Sequence, residues 1–512
     1  MEIIENKALL LKLRDPSKVT AVIPKSKHLG GNDVLVNWGL DEAQVLKNLR
    51  IKNVPSPILR DYNWPGLHKP FDHQKTTAAF LTLHPKAFCL NEQGTGKTGS
   101  VIWAADYLMT KQRVRRVLVI CPLSIMDSAW RGDLFKFAMH RSVDIAYGSP
   151  EKRRQAINSG AEFVIINYDG VEIVLDDIIK GGFDLIVVDE ATAYKNAQTQ
   201  RWKVLNHIIR PDTWLWMLTG TPAAQSPVDA YGLAKLVNPL GVPKFFSAFR
   251  EMVMFKASQF RWIPKPSAVS TVFNALQPAI RFTKDECLDL PEMVYADRHV
   301  ALSKQQEKYY KLLKNKMIIE AAGEEITSVN AAVNLSKLLQ LSCGAVYTDS
   351  GETVEFDIKN RYAVLKEVID ETSKKVLVFV PFKNSIEIIT EKLRADGYTT
   401  EIINGTVNAH KRAEIFKQFQ ETPNPRILVI QPQAASHGVT LTAADTVVWW
   451  GPTSSLEIYA QANARVHRAG QTSHTTVVRL QGSPAERHVY QMLDNKEDSH
   501  TKIVDLYKGL LE

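Results

Sequence analysis

The sequence predicts an α/β protein. It reads as two doubly wound parallel-sheet lobes with helical insertions, preceded by a small N-terminal accessory segment. Three observations predict this. Short apolar runs alternate with helical stretches from Phe71 to about Leu236, and the same alternation returns from Lys374. Between an apolar run and a helical stretch lies Asn91-Glu92-Gln93-Gly94-Thr95-Gly96-Lys97-Thr98. Strand, glycine loop, helix is the context a phosphate-binding loop requires.

A chain of 512 residues exceeds the usual single domain, so two or three domains are expected. Hydrophobic residues make up 45% and charged residues 23%, an ordinary globular balance. No apolar run approaches the roughly 18 residues of a membrane span, so no membrane partner is expected. Glu2 and Glu5 precede Ala8-Leu9-Leu10-Leu11, which is not the basic start of a secretory signal. Cys89, Cys121, Cys287 and Cys343 are isolated from one another. That spacing argues against a zinc site or disulfide framework and for a reducing, cytoplasmic setting. The net charge of +8 leans towards a polyanionic partner, although many enzymes share it.

Taken in order, residues 1–69 read as the accessory segment. Ala8 to Arg14 and Val19 to Ile23 read as strands around Asp15-Pro16-Ser17, and Val34 to Trp38 as another. Asp41 to Leu49 has helical spacing with Asp41 as its expected cap. A small separate domain and a packing extension of the next lobe are equally compatible with this pattern. Residues 70–236 form the first lobe. Its strands are expected at Ala87–Leu90, Val117–Cys121, Phe163–Asn167, Leu185–Val188 and Trp214–Leu218. Residues 237–370 read as helical insertions and the connection, with helices at Phe245–Phe255, Lys304–Ile319 and Ala331–Leu341. Residues 371–483 form the second lobe. Its strands are expected at Val376–Val380, Thr400–Asn404, Ile427–Ile430, Thr446–Trp450 and Thr475–Leu480. Residues 484–512 read as a helical tail.

The chemistry falls at the carboxyl ends of the strands, where ligands bind in such sheets. Gly94 and Gly96 let the backbone curl so that its N–H groups face an anion, and the helix that follows adds its positive end. Lys97 can reach the β- and γ-phosphates of a nucleotide, and the Thr98 hydroxyl can ligate Mg²⁺. Asn91 stands where the strict pattern has glycine. Leu185-Ile186-Val187-Val188 runs into Asp189-Glu190. A carboxylate at that strand end suits a Mg²⁺ ligand, and Glu190 can deprotonate an attacking water. Acids at a helix start are the bland alternative. In Gln461 to Gln471, Arg465 and Arg468 are three apart and would share a helix face. They read either as arginine fingers, a device that contributes roughly 10³–10⁵ in phosphoryl-transfer rate, or as a solvated basic helix. The run Lys111, Arg113, Arg115, Arg116 reads more readily as a solvated helix end than as a binding patch.

Together these stretches resemble the Swi/Snf-type ATPases of helicase superfamily two, over about Pro70 to Gln471. Phe71-Asp72-His73-Gln74 resembles the adenine-reading motif, which gives Gln74. Asn91 to Thr98 resembles the phosphate loop, which adds Gln93, Gly94, Thr95, Gly96, Lys97 and Thr98. Asp189-Glu190-Ala191-Thr192 with Lys195-Asn196 resembles the second motif, and Leu218 to Pro222 the Leu-Thr-Gly-Thr-Pro motif. Val376 to Phe382 resembles the opening of the family's second lobe, and Asn404-Gly405-Thr406 with Arg412 its next motif. His437 to Leu441 with Ala443-Ala444-Asp445 resembles the fifth motif, and Gln461 to Gln471 the sixth.

The resemblance implies two RecA-like lobes that use ATP with Mg²⁺ and carry the catalytic set Lys97, Asp189, Glu190, Arg465 and Arg468. Thr98 and Asp189 would hold the metal. Pro122, Ser124, Gly220 and Thr221 would contact DNA from the first lobe, and Gly438 and Thr440 from the second. Thr219 and Gln461 would couple the two lobes. It implies a compact phage- or bacterial-type enzyme, a monomer that translocates on double-stranded DNA and acts on forked or branched DNA in replication, recombination or repair. Thr192 stands where the family usually has His, Ala435-Ser436 where it has a Gly pair, and Thr440 where it has Asn. These departures bear on coupling and DNA contacts. A strand-separating DNA or RNA helicase and a non-catalytic nucleic-acid scaffold are the rival readings. Fold alone does not choose between them.

Overall fold

The computed structural model describes residues 1–223, 226–257, 262–287, 293–323, 328–347, 353–435, 439–468 and 470–495. They fall into two compact units. One holds residues 1–222 and 227–287, and the other Ala223, Ser226 and the described residues beyond Cys287.

The first unit begins with an antiparallel sheet of β1 (Glu2–Ile4), β2 (Ala8–Lys12), β3 (Lys27–Gly30) and β4 (Asp33–Asn37), in the order β1-β2-β4-β3. Period-two alternation puts Leu9, Leu11, Val34 and Val36 on one buried face, with Val19, Ile23, Trp38 and Leu46 against it. The strand expected over Val19–Ile23 is instead a short helix, Ser17–Thr20, and a turn. Asp15 accepts a hydrogen bond from Ser17 N at 3.1 Å, and Pro16 O accepts from Val19 and Thr20 N. This local helical turn lets Val19 and Ile23, four apart, reach the same core. The next helix is Leu40–Asn48, with Gly39 rather than Asp41 at its N-cap. Asp41 pairs with Arg113 on the first lobe. Leu40 and Ala43 join the first lobe's core, while Gln44 and Lys47 donate to the carbonyls of Thr82 and Leu83 at 3.2 and 2.7 Å. The segment therefore has a core of its own and is also bonded to the lobe behind it.

That lobe contains β5 (Lys86–Cys89), β6 (Val117–Cys121), β7 (Val143–Ala146), β8 (Phe163–Asn167), β9 (Leu185–Val188) and β10 (Trp214–Leu218). After the β11 (Met254–Lys256) and β12 (Trp262–Pro264) hairpin, β13 (Ala279–Ile280) returns to the sheet. Its order is β13-β5-β10-β9-β6-β8-β7, and every pairing is parallel. Helices cover both faces, so the central strands are apolar throughout. Val117 to Cys121 and Leu185 to Val188 are all buried. The five expected strands are all present. β7 and β13 were not expected: both are edge strands, and β13 has only two residues in a stretch read as helical.

The second unit contains β14 (Met293–His299), the hairpin of β15 (Ala345–Tyr347) and β16 (Thr353–Glu355), then β17 (Lys375–Phe379), β18 (Thr400–Ile403), β19 (Ile427–Ile430), β20 (Ala444–Trp449) and β21 (Thr475–Gln481). Its main sheet is parallel in the order β14-β21-β20-β17-β19-β18. The five expected strands are again present. β14 lies where helical insertions were expected, because its polar sequence and single partner, β21, give no buried-strand signal. The long helices Lys304–Gly323 and Ser328–Cys343 follow the expected spacing. The tail is helical over Pro484–Asp494, and residues 496–512 lie outside the described residues. Among the described residues no helix is long and apolar enough to cross a membrane.

Candidate nucleotide-binding site

The phosphate loop links β5 to the helix Lys97–Thr110. Gly94 and Gly96 have φ of +86° and +78°, the left-handed region that side chains disfavour. At Gly96 a Cβ would also strike the amide of Gln74. Gln74 Nε2 donates to Gly96 O at 3.3 Å, and its Oε1 accepts from Phe71 N at 2.9 Å. His73 Nε2 lies 2.8 Å from Thr95 O, so Gln74 and its neighbour grip consecutive residues of the loop. Thr95 caps the turn through Glu92 O at 2.7 Å. Lys97 Nζ donates to the carbonyls of Asn91 and Glu92 at 3.0 and 3.2 Å, leaning back over the loop it serves. Thr98 sits half-buried in the first helical turn.

Asn91 explains its departure from glycine. It is buried, its amide donates to Thr77 Oγ1 at 2.8 Å, and its Oδ1 accepts from Phe282 N at 3.0 Å. Glu92 Oε2 accepts from Lys284 N at 3.1 Å. The loop is thereby stapled to the segment that leaves β13.

The neighbouring strands bring the other residues in. Leu218 pairs with Cys89 and Met217 with Val188, so the ends of β5, β10 and β9 lie side by side. At ~4.8 Å per strand, β9 ends about 10 Å from β5. Burial pushes the Cys89 thiol up to about 11, and it feels both the Lys97 ammonium and the Asp189 carboxylate. Asp189 is 8% exposed; its Oδ1 accepts from Glu190 N at 2.9 Å and its Oδ2 from the Trp130 indole at 2.9 Å. Glu190 has a left-handed backbone at φ +46°. The Tyr168 hydroxyl sits 2.7 Å from Asp189 O and 3.2 Å from Glu190 O. Burial, then the charges of Asp189 and Glu190, hold that phenol protonated and donating. Trp130 and Tyr168 carry no signature in the sequence, since an aromatic polar handle has no periodic pattern.

Thr219 Oγ1 accepts from Thr221 N at 3.1 Å, and Gly220 packs against Gln93 and Asn91 O. Both amide atoms of Gln93 and the Thr221 hydroxyl are buried with no partner among the described residues. Buried polar groups are normally satisfied, so these orphans mark a place for a polar ligand. A hydroxyl at Thr98 and a carboxylate at Asp189 are hard oxygen donors of the kind Mg²⁺ takes beside phosphate. Pro122 and the 3₁₀ turn Leu123–Ile125, which contains Ser124, leave β6 on the same sheet edge.

In the second unit, Arg465 and Arg468 do not share a helix face. The helix Leu456–Asn463 stops before them, and residues 464–468 continue as turns. Arg465 is 6% exposed and its carbonyl accepts from Leu441 N at 2.9 Å. Arg468 donates to Val439 O at 3.2 Å. Both arginines are thus tied to the stretch around Thr440, which is exposed; Gly438 lies outside the described residues. Gln461 is buried on the helix and donates to Glu457 at 3.1 Å.

The fold and this site define a phosphate-loop α/β protein of two parallel-sheet lobes. The SNF2-related domain matches residues 73–345, and the helicase conserved C-terminal domain matches residues 360–470. The chain belongs to the SNF2-related family. It is 27% identical to an uncharacterized ATP-dependent helicase of Mycoplasma genitalium, over 82% of this chain and 41% of that protein. It is 26% identical to the chromodomain-helicase-DNA-binding protein 1-like of Danio rerio, over 83% of this chain and 42% of that protein. A putative protein p41 of Acyrthosiphon pisum secondary endosymbiont phage 1 is 24% identical, over 81% of this chain and 92% of its own. The chain spans about two fifths of the length of the first two relatives. Among solved structures, the Sulfolobus solfataricus SWI2/SNF2 ATPase core in complex with dsDNA aligns at TM-score 0.42 and 21% identity, over 88% of this chain and 95% of that one.

Proposed function

We propose that this chain hydrolyses ATP to ADP and phosphate and uses the cycle to translocate along double-stranded DNA. The observation that carries the proposal is the convergence of the phosphate loop, the acidic turn and the Thr219-Gly220-Thr221 loop on one sheet edge, with buried polar atoms of Gln93 and Thr221 unsatisfied beside them. In this reading Lys97 leaves its carbonyl partners for the β- and γ-phosphates. The loop N–H groups and the helix start hold the remaining charge. Gln74, already bonded to the loop, reads the adenine edge. Glu190 takes the proton of the attacking water. Thr98 and Asp189 would hold Mg²⁺, whose chemistry is to neutralise phosphate charge as the bond breaks. In this proposal Arg465 and Arg468 are the catalytic guanidinium groups of the second lobe, and Thr219 and Gln461 are the coupling residues.

Duplex or branched DNA is the proposed partner, gripped through its phosphates near Pro122, Ser124, Gly220 and Thr221 and near Gly438 and Thr440. Binding through phosphates weakens steeply with salt. The test is steady-state ATP hydrolysis without nucleic acid and with duplex, forked and single-stranded DNA and RNA, using Glu190→Gln as control. Stimulation by duplex or forked DNA that is lost in the control supports the proposal. Stimulation by single strands or RNA alone replaces the substrate with that of a strand-separating helicase. No turnover under any condition makes the chain a nucleic-acid scaffold.

A further inference from the structure

Two side chains outside the expected site hold the acidic turn. The Trp130 indole, fully buried, donates to one carboxylate oxygen of Asp189. The other oxygen accepts from Glu190 N, so each carboxylate oxygen has a donor in place. Tyr168 leaves the end of β8 and places its hydroxyl against the carbonyls of both Asp189 and Glu190. Between them lies Glu190 at φ +46°, a backbone state that costs a side-chain-bearing residue about 1–2 kcal/mol. Such strained positions persist where their surroundings over-determine them, and they gather at active sites.

The segment that carries Trp130 is itself irregular. From Pro122 the chain forms a 3₁₀ turn at Leu123–Ile125 and then a π turn at Met126–Arg131, before the helix Gly132–Phe137. π turns are rare and are frequently found at functional sites. One rigid aromatic ring thus spans from the loop after β6 to the carboxylate at the end of β9. The same loop begins with the proposed DNA contacts Pro122 and Ser124.

We propose that Trp130 and Tyr168 are positioning residues that fix Asp189 and Glu190 for the metal–nucleotide complex, and that Trp130 makes the orientation of Asp189 respond to the segment Pro122–Arg131. This rests on the nucleotide reading of the site given above. When the segment shifts on contact with DNA, the indole N–H moves with it, and the carboxylate turns. Tyr168 keeps the backbone of the turn fixed, so the response is confined to the Asp189 side chain. The hydrogen bonds also satisfy the polar groups of a buried and a half-buried aromatic side chain, which is what a purely structural role would require. The two roles separate by experiment.

Trp130→Phe and Tyr168→Phe each keep the ring and remove the donor. Mn²⁺ binding to the ADP complex is measured by electron paramagnetic resonance on the full chain, alongside thermal unfolding and ATP turnover with and without duplex DNA. Both variants should bind Mn²⁺ about tenfold more weakly, the usual scale for loss of an outer-sphere partner. Trp130→Phe should in addition lose most of the DNA stimulation, and Tyr168→Phe should retain it. Wild-type Mn²⁺ affinity in both variants, with only a lower unfolding temperature, overturns the proposal. Weakened Mn²⁺ binding with full DNA stimulation in Trp130→Phe overturns the link to the DNA segment. A wild-type chain that binds Mn²⁺ with ADP but turns over no ATP refutes hydrolysis, and the affinity comparison still decides the positioning role. A wild-type chain that binds no Mn²⁺ with ADP removes the nucleotide reading and this proposal together.

Discussion

Gln74 and Gly96 are locked together: the Gln74 amide donates to Gly96 O at 3.3 Å and fills the space a Cβ at Gly96 would need. Gly96 also holds φ +78°, which only glycine adopts cheaply. Gly96→Ala should therefore strain the loop by about 1–2 kcal/mol and displace Gln74. The expected outcome is loss of ATP binding in a chain that still folds, read by isothermal titration with a non-hydrolysable analogue and by circular dichroism. Unchanged affinity would separate Gln74 from nucleotide recognition.

Glu190 is the proposed general base, and Asp189 the metal-side carboxylate. Glu190→Gln should lower turnover by about 10²–10⁴ while ATP is still bound. Asp189→Asn should weaken Mg²⁺-dependent binding as well. Comparing single-turnover rates with nucleotide affinity distinguishes the two roles. Equal effects of both variants on affinity would show that they act as one unit.

The orphaned amide of Gln93 beside Gly220 predicts a residue that is costly without ligand and useful with it. An unsatisfied buried polar group costs about 1–3 kcal/mol. Gln93→Met should raise the unfolding temperature of the ligand-free chain and reduce the further rise given by a non-hydrolysable ATP analogue. Differential scanning fluorimetry with and without the analogue checks both directions. A lower unfolding temperature without ligand would contradict it.

In the second unit Arg361 Nη2 donates to both carboxylate oxygens of Glu486 at 2.7 Å, with side chains 3% and 0% exposed. The pair ties the helix Lys359–Glu371 to the helix Pro484–Asp494, and Arg361 also donates to Trp450 O. Removing one member strands the other charge in the core. Glu486→Ala should destabilise the second unit by about 3–5 kcal/mol, measured by urea denaturation. Replacing both residues with apolar ones should cost less than the single change.

Burial lowers His84 from the usual histidine value to about 4, and its Nδ1 lies 2.6 Å from Phe80 O, so the neutral ring is the donor. The unfolded chain protonates near 6.5 and the folded chain near 4. The folded state is thus favoured above about pH 6.5, and that contribution is lost as pH falls towards 4. It amounts to about 3 kcal/mol at most. The acid limb of stability against pH should flatten in His84→Gln, measured by urea unfolding between pH 4 and 7.

Hydrophobic pattern and local chemistry make part of this fold legible along the chain. Val117–Cys121 and Leu185–Val188 are legible because strands buried on both faces must be continuously apolar. The phosphate loop is legible because its glycines, lysine and threonine are contiguous, and Asp189-Glu190 because it directly follows a buried strand. Other features exist only in the packed chain. β13 and β14 are strands only because β5 and β21 offer them a free edge, which no local pattern records. Asn91 tolerates its non-glycine identity because Thr77 on the preceding helix and Phe282, far along the chain, satisfy its amide. Arg465 and Arg468 lie beyond a helix end, since Ala464 leads into turns tied to Val439 and Leu441, so spacing by three did not set their direction. Trp130 and Tyr168 acquire their role only when β6, β8 and β9 lie side by side in the sheet. Such contacts arise from strand order, and strand order is a property of the packed chain as a whole.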